Sequence, residues 1–223
     1  MSRKQKSVSA YSKVKKQKNK IVIGIDQSYV DTGIAIGYNG ELKNVIDCKP
    51  LSTATHTQTR IMLREVLLSV FGKMKELSNH RGCEIVCIIE RIRLQSVNHG
   101  NDNFINFNYI KGIGALNAVI VDTAAQYGIS VYSVDTRSWK SQVIGTSKPL
   151  HNPFGFADEK WPTIQWCLNH GYGKYITEEV SLRKKKAVIT MDGKRYTYND
   201  NKADAIGITM YGFAANQKLE EEH

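Results

Sequence analysis

Short apolar segments, separated by polar and glycine-containing stretches, dominate the first part of the chain. Residues Ile21–Asp26 form an apolar run that ends in an acid, which is typical of a buried central strand. Further strands are predicted at Thr32–Tyr38 and Leu42–Cys48, joined by Asn39-Gly40, a strong signal for a two-residue hairpin. The pattern therefore predicts an antiparallel meander at the start of a domain.

Helical and strand patterns then alternate. Apolar residues recur at helical spacing from Gln58 to Leu77, which predicts a helix. Glu84–Glu90 is predicted to be an apolar strand that ends in a carboxylate. The segment 104–127 is long and apolar, with small residues that suit close helix packing. The remaining predicted elements are a strand at Ile129–Val134, a helix at Thr136–Val143, a helix at Asp158–Asn169 with Asp158 as its cap and Pro162 in its first turn, an inserted ribbon at Lys174–Tyr198 and a closing helix at Asn201–Gln217. This order predicts an α/β domain whose sheet joins an antiparallel edge meander to parallel strands.

Positive charge is concentrated at the start of the chain. The 223 residues carry 31 Lys and Arg against 21 Asp and Glu, and eight of these bases but no acid lie in residues 1–20. We expect 1–20 to be a disordered basic arm, 21–217 to be a single domain and 218–223 to be a polar tail. A basic arm on a near-neutral body indicates a polyanionic partner, with a solubilising leader as the alternative.

Several protein classes do not suit the sequence. No apolar run reaches the roughly 20 residues that span a bilayer, and no signal-peptide pattern is present, so we expect an intracellular protein without a membrane partner. The four cysteines are too few and too scattered for a disulfide scaffold and are expected to be buried free thiols. No Ser or Cys lies in a nucleophile elbow.

Acidic residues end two of the predicted central strands, at Asp26 and Glu90. Ligands of open α/β sheets bind beyond the carboxyl ends of the strands. Asp200 and Asp204 lie four residues apart at the start of the last helix and so share one face. Mg²⁺ prefers oxygen ligands, and paired ions about 4 Å apart promote phosphodiester hydrolysis. The set predicts a metal site, although each acid taken alone would suit a turn or a helix cap.

Five segments, in order, resemble the motifs of the RuvC-type Holliday junction resolvases, and the likeness runs from about Ile21 to Ala215. Ile23–Ala35 resembles the first motif, GID-x-S-x-x-x-TG, and Ile88–Glu90 resembles the second. Trp139–Gly145 is similar to the K-x-x-V-x-G segment, Ala157–Lys160 to the lysine-bearing segment, and Lys202–Ile208 to the terminal D-A-hydrophobic helix.

The resemblance implies an RNase H-like fold, with a mixed five-stranded sheet flanked by helices and an inserted β-ribbon at 174–198. It further implies a homodimer that resolves branched DNA by paired nicks in recombination and repair, using two Mg²⁺ ions in each active site, with Mn²⁺ as a substitute. The implied catalytic residues are Asp26, Glu90, Asp200, Asp204, Lys140 and Lys160, with Asp26, Glu90, Asp204 and Asn201 as metal ligands. The two lysines would stabilise charge on the phosphates, or else are ordinary helix-surface lysines.

One departure from the family pattern bears on the site. The last motif of the family has two acids three residues apart, but the position three before Asp204 is Asn201. An amide oxygen can ligate Mg²⁺ without contributing charge. Asp200 would serve in its place, or Asn201 is an inactivating substitution; the sequence leaves these alternatives open.

Basic residues outside the arm are expected to hold DNA. Arg91 and Arg93 follow Glu90, where the family contacts the centre of the junction. The basic residues of the ribbon are Arg183, Lys184, Lys185, Lys186, Lys194 and Arg195. They would neutralise phosphates and make binding salt-dependent, unless the ribbon is merely a solvated hairpin.

The sequence therefore favours a structure-selective, metal-dependent endonuclease. Another RNase H-like nuclease, for instance one that acts on RNA–DNA hybrids, and a non-catalytic junction-binding protein remain as alternatives. A phosphotransferase of the sugar-kinase or actin type would require a second, similar lobe, for which a chain of this length without an internal repeat has no room.

Overall fold

The computed structural model describes residues 19–92, 96–99, 102–105, 107–151, 155–180, 189–191, 194–214 and 219–222. The strands in these ranges are β1 (Lys20–Asp26), β2 (Thr32–Tyr38), β3 (Glu41–Cys48), β4 (Glu84–Glu90), β5 (Ser96–His99), β6 (Asp102–Ile105), β7 (Ser130–Val134), β8 (Thr177–Glu179), β9 (Ile189–Met191), β10 (Lys194–Tyr198) and β11 (Glu220–Glu222). The helices are α1 (His56–Arg81), α2 (Phe107–Ala125), α3 (Thr136–Trp139), α4 (Trp161–Asn169), α5 (Gly173–Ile176) and α6 (Asp200–Tyr211), and a π-helical turn, Lys140–Ile144, follows α3.

The central sheet has six strands in the order β11-β7-β4-β1-β2-β3. Strands β1, β2 and β3 form the antiparallel meander predicted from the sequence. On the other side, β1 pairs in parallel with β4, and β4 pairs in parallel with β7. An antiparallel meander continued by parallel strands in this order is the RNase H-like topology, so the predicted fold class is confirmed.

Helices cover both faces of the sheet, and the side chains of β1 illustrate this. Its side chains alternate between two cores, because successive residues of a strand point to opposite faces. Ile21, Ile23 and Ile25 pack in the core that α1 and α2 cover, whereas Val22 packs in the core beneath α4 and α6. A strand buried on both faces reads as a continuous apolar run, which is why β1 was recognisable.

Helix α6 lies directly on β1 and β2 because glycines leave room for its backbone. A Cβ atom at Gly24 would collide with Thr209 of α6, and one at Gly33 would collide with the backbone of Asn201. The Thr209 hydroxyl also accepts a hydrogen bond of 3.1 Å from the Gly24 amide. This close approach brings the first turns of α6 to the ends of the central strands.

Several elements differ from the sequence-based expectation. Helix α4 begins at Trp161 rather than Asp158, and no side chain caps it, because a turn closed by the Lys160 amide and the Ala157 carbonyl precedes it. Pro162 does lie in its first turn. The segment 104–127 begins with β6, paired to β5, and only then becomes α2.

The end of the chain also differs. Helix α6 ends at Tyr211, and β11 adds a sixth strand beside β7, where five strands were expected. The predicted ribbon is present as a three-stranded sheet in the order β8-β10-β9, preceded by the short helix α5. All four cysteines are buried with free thiols, as predicted. No helix in the described ranges combines the length and apolar character needed to cross a bilayer.

Candidate metal centre

The carboxylates that end β1 and β4 lie side by side. These strands are parallel neighbours, with Ile25 opposite Ile89, so Asp26 and Glu90 leave the sheet at the same edge. Helix α6 brings buried Asp204 to this edge, and the three side chains line one cleft of about 540 Å³. The cleft also receives Asn201, Lys140, Lys160 and Arg91. The structure thus brings together most of the residues that the sequence singled out.

The start of α6 is held by hydrogen bonds that orient its acidic face. Asn199 caps the helix, with its side-chain oxygen accepting a 3.0 Å hydrogen bond from the Lys202 amide. The same side chain donates to Asp31 Oδ2 at 2.7 Å. Asp200 and Asp204 therefore share one face of α6, as their spacing predicted, with Asp204 nearly inaccessible and Asp200 at the outer rim.

Glu90 is fixed through both of its carboxylate oxygens. The Thr136 hydroxyl donates to Oε1 at 2.5 Å, and the Trp139 indole donates to Oε2 at 3.3 Å. Burial, and then the negative charge of Asp204, raise the pKa of Glu90, while these two hydrogen bonds act in the opposite direction. Helix α3 thereby holds a carboxylate that burial alone would tend to neutralise.

Burial and the neighbouring carboxylates both act on Asp26. Burial raises its pKa well above the ordinary aspartate value, and the charges of Asp204 and Glu90 raise it further. Lys160 acts in the opposite direction. The negative charges of neighbouring carboxylates repel one another, and a cation between them would relieve this repulsion.

Two lysines bring positive charge to Asp204. Lys160 Nζ lies 3.1 Å from Asp204 Oδ2 and 3.2 Å from Asp200 Oδ2. Lys140 Nζ lies 3.7 Å from Asp204 Oδ1 and donates a 3.3 Å hydrogen bond to the Glu159 carbonyl. Asp204 is the main reason that the pKa of Lys160 is raised. Neither lysine is an ordinary helix-surface residue.

The donor set fits a hard cation. Asp204 Oδ1 is buried and accepts no hydrogen bond from any described residue, and Gln27 Oε1, which belongs to the lining of the same cleft, shares this property. Buried oxygens of this kind normally find a donor, a water or a cation. Carboxylate and amide oxygens are the ligands that Mg²⁺ and Mn²⁺ favour.

A second acidic cluster lies outside the lining of this cleft. One oxygen from each of Asp31, Asp47 and Glu178 lies within 4.8 Å of the others, a spacing that would admit a cation. Lys202 Nζ already lies 2.8 Å from Glu178 and 3.3 Å from Asp47, and Lys49 lies 3.7 Å from Asp31 and from Glu178. Two ammonium groups therefore compensate this cluster, which ties β8 and α6 to the meander.

The two aspartates of this second cluster act on each other's pKa. Burial and the contact with Asp47 raise the pKa of Asp31 to about 7. Burial would also raise the pKa of Asp47, but its contact with Asp31 and the charge of Lys202 lower it. Like Asp204 Oδ1, Asp31 Oδ1 and Asp47 Oδ1 are buried and accept no hydrogen bond from a described residue, but the ammonium groups of Lys202 and Lys49 already pair with this cluster. We take Asp26, Glu90 and Asp204 as the candidate metal centre because they line the open cleft.

The residues predicted to contact DNA lie in different places, and only some of them belong to the described part of the structure. Arg91 lines the cleft, whereas Lys194 and Arg195 lie on β10 and Lys194 pairs with Glu179 at 3.2 Å. The described part of the ribbon thus carries acids opposite its bases. Predicted contacts at Arg93, Arg183, Lys184, Lys185 and Lys186 lie outside the described residues, as does most of the expected basic arm.

Some residues of the cleft were not predicted as site residues. Gln27, Thr136 and Arg137 all belong to its lining. Gln27 donates from Nε2 to the Glu90 carbonyl at 2.6 Å, which fixes the side chain. Gln27 lies within the first motif, so its place next to Asp26 was a usable signal. Nothing local marks Thr136 or Arg137, because their role depends on where α3 packs.

No protein-family model matches the chain, and no curated protein matches it. Among solved structures, Thermus thermophilus RuvC is similar at 15% identity over 86% of this chain and 93% of that chain, with a TM-score of 0.48. T. thermophilus RuvC in complex with Holliday junction substrate is similar at 13% identity over 87% and 93%, also with a TM-score of 0.48. A ROK family transcriptional regulator, homologous to E. coli MLC, matches 55% of this chain and 30% of that chain at 14% identity, with a TM-score of 0.29. The RNase H-like assignment rests on the strand order and directions described above.

Proposed function

We propose that the protein is a divalent-metal-dependent endonuclease that hydrolyses phosphodiester bonds in branched DNA. The observation that carries the proposal is the convergence of Asp26, Glu90 and buried Asp204 in one open cleft, with an Asp204 oxygen that accepts no hydrogen bond from a described residue. Binding a hard cation is the role that best accounts for such a donor set.

Asp26, Glu90 and Asp204 would hold the metal, with the Asn201 amide oxygen as a neutral ligand and Asp200 at the outer side. Bound Mg²⁺ or Mn²⁺, as a pair of ions, would supply an activated water and stabilise the charge on the leaving oxygen. Burial, and then the negative charges of Asp204 and Glu90, raise the pKa of Asp26. A bound cation would relieve the part that comes from these charges.

The remaining residues of the cleft have roles that do not depend on metal ligation. Thr136 and Trp139 hold Glu90 in a single orientation, so that little reorganisation is needed when substrate binds. Lys140 is buried, and its ammonium would stabilise negative charge on a phosphate that enters the cleft. Arg91 and Arg137 would bind neighbouring phosphates of the same strand.

Branched DNA as the substrate rests on the five ordered motifs that resemble the junction resolvases. Paired nicks require two active sites, so the proposal includes a homodimer. The basic residues at the start of the chain would bind the DNA backbone without reading its sequence. A protein that acts on DNA in this way would work inside the cell.

The test is to incubate a four-way junction, labelled on each strand in turn, with Mg²⁺, Mn²⁺, Ca²⁺ or EDTA and to map the nicks. We expect paired nicks with Mg²⁺ or Mn²⁺ only, and none with D204N, which keeps the shape of the side chain. Linear duplex and an RNA–DNA hybrid are the substrate controls. Cutting of the hybrid alone would instead indicate another RNase H-like nuclease, and tight junction binding without nicks in any metal would indicate a non-catalytic binding protein.

A further inference from the structure

Two lysine ammonium groups lie against the acids of the candidate metal centre. Lys140 and Lys160 both approach Asp204, whereas Arg91 and Arg137 line other parts of the cleft. The Lys160 ammonium is the one that bridges two acids, with its Nζ between Asp204 Oδ2 and Asp200 Oδ2. It therefore lies against the second oxygen of the carboxylate whose Oδ1 is open to a cation.

The two lysines differ in how firmly they are held. The side chain of Lys140 is 10% exposed, and its Nζ is anchored on the Glu159 carbonyl. The side chain of Lys160 is 33% exposed, and it forms ion pairs with two carboxylates of α6. A long, flexible lysine side chain with an open route to solvent can leave its carboxylates without any movement of the backbone.

Two cations cannot share these oxygens at low cost. Like charges repel more strongly in a partly buried site than in water, and a divalent ion doubles the repulsion that a monovalent one would cause. Lys160 is held in its present position by two short ion pairs, 3.1 Å from Nζ to Asp204 Oδ2 and 3.2 Å to Asp200 Oδ2. The ion pairs of Lys160 and the binding of a divalent cation at Asp204 are therefore competing states.

We propose that Lys160 is an internal counter-ion that occupies the cation position in the metal-free protein and must be displaced when a divalent metal binds, so that Lys160 sets the metal affinity. This inference rests on the proposed metal centre and adds the identity of the competitor. Displacement frees the Lys160 ammonium at the rim of the cleft, where a substrate phosphate would take the place of Asp204 and Asp200 as its partner.

The test measures Mn²⁺ binding directly, by isothermal titration calorimetry without DNA, on the full chain. The variants are K160M and the matched control K140M, each of which removes one positive charge next to Asp204. We expect K160M to bind Mn²⁺ at least about tenfold more tightly than the wild type, and K140M to gain less than about threefold. K160R should weaken binding, since a guanidinium pairs with carboxylates in a bidentate manner and is harder to displace.

Each outcome is decisive. An unchanged or weaker affinity in K160M, or an equal gain in K140M, would overturn the role of Lys160 while leaving the metal centre intact. Absence of Mn²⁺ binding in the wild type and in every variant would overturn the metal centre itself. D204N, which should not bind the ion, shows that the measured heat comes from this site, and circular dichroism spectra verify that each variant is folded.

Discussion

The side-chain amide of Asn201 donates a 2.5 Å hydrogen bond to the backbone carbonyl of Asp31. This contact ties the start of α6, the helix that carries Asp204, to the loop that follows β1 and its last residue, Asp26. With the nitrogen committed to Asp31, the amide oxygen of Asn201 is the atom left for the cleft that this residue lines. An aspartate at position 201 would place a carboxylate oxygen against the Asp31 carbonyl oxygen, and both atoms are acceptors. The amide of Asn201 supplies the donor that this contact needs.

The first prediction concerns the stability of N201D. We expect a loss of about 1–3 kcal/mol in the free energy of unfolding of the metal-free protein, because the Asp31 carbonyl loses its donor and faces a carboxylate. Urea unfolding with and without Mn²⁺ measures the effect. N201A, which removes the bond without adding charge, is the control, and an N201D protein as stable as the wild type would show that the contact is unimportant.

The second prediction concerns D26N. We expect it to abolish nicking while preserving junction binding, and to stabilise the metal-free protein, because it removes a carboxylate whose pKa is raised by burial and by Asp204. A raised pKa means that the contribution of Asp26 to stability is fully present below the ordinary value of 3.8 and is lost as the pH rises through the raised value.

The stability advantage of D26N over the wild type should therefore be absent in acid and grow towards neutral pH. Urea unfolding of both proteins in EDTA across this pH range measures it. An advantage that does not change with pH would contradict the raised pKa, and retained cleavage would contradict the role of Asp26 as a ligand.

The parts of the fold that could be predicted are those with a local signal. β1 and β4 are apolar because both of their faces are buried, and their terminal acids mark the edge of the sheet. β11 could not be predicted, since Glu220–Glu222 has low β-propensity and forms a strand only through pairing with β7. The predicted start of α4, at Asp158, was wrong for a related reason. Asp158 suits a helix cap, but the turn before Trp161 is closed by backbone hydrogen bonds instead.

The candidate site likewise contains residues that have a local signal in the sequence and contacts that have none. Asp26, Glu90 and Asp204 were predicted because their positions relative to their elements are visible in the sequence. The hydrogen bond from Thr136 to Glu90 joins residues 46 apart, and that from Asn201 to Asp31 joins residues 170 apart. Contacts over such separations depend on packing, which no local pattern reports.

The third prediction concerns Thr136. T136V removes the donor to Glu90 Oε1 with little change of shape, so the pKa of Glu90, already raised by burial, should rise further. We expect the acidic limb of the pH profile for nicking to move to higher pH. At the acidic pH values of this limb the nicking rate should fall, because a larger fraction of Glu90 is protonated there. T136S, which keeps the hydroxyl, should restore the wild-type profile. A uniform loss of rate at every pH would mean that Thr136 acts by some route other than Glu90.

The fourth prediction concerns stabilisation by metal. A ligand that binds only the folded state raises the free energy of unfolding by about 2.7 kcal/mol at a concentration of 100 times its Kd. We expect saturating Mn²⁺ to raise the melting temperature of the wild type but not that of D204N, which lacks the buried carboxylate. Ca²⁺ and K⁺ chloride at matched ionic strength separate specific binding from screening. An equal shift in D204N would place the bound ion elsewhere, with the cluster of Asp31, Asp47 and Glu178 as the next site to test.

The fifth prediction concerns the basic residues that precede the sheet. Lys20 is buried in β1, so a deletion of residues 1–18 removes seven bases and leaves the strand intact. Each phosphate contact contributes about 0.9 to the slope of log K against log salt concentration, so the deletion should reduce that slope by up to about six. Fluorescence anisotropy with a labelled junction in EDTA, over a series of KCl concentrations, measures this. A chain of full length with these seven residues changed to Gln should behave like the deletion, and an unchanged slope in both would show that the segment does not contact phosphate.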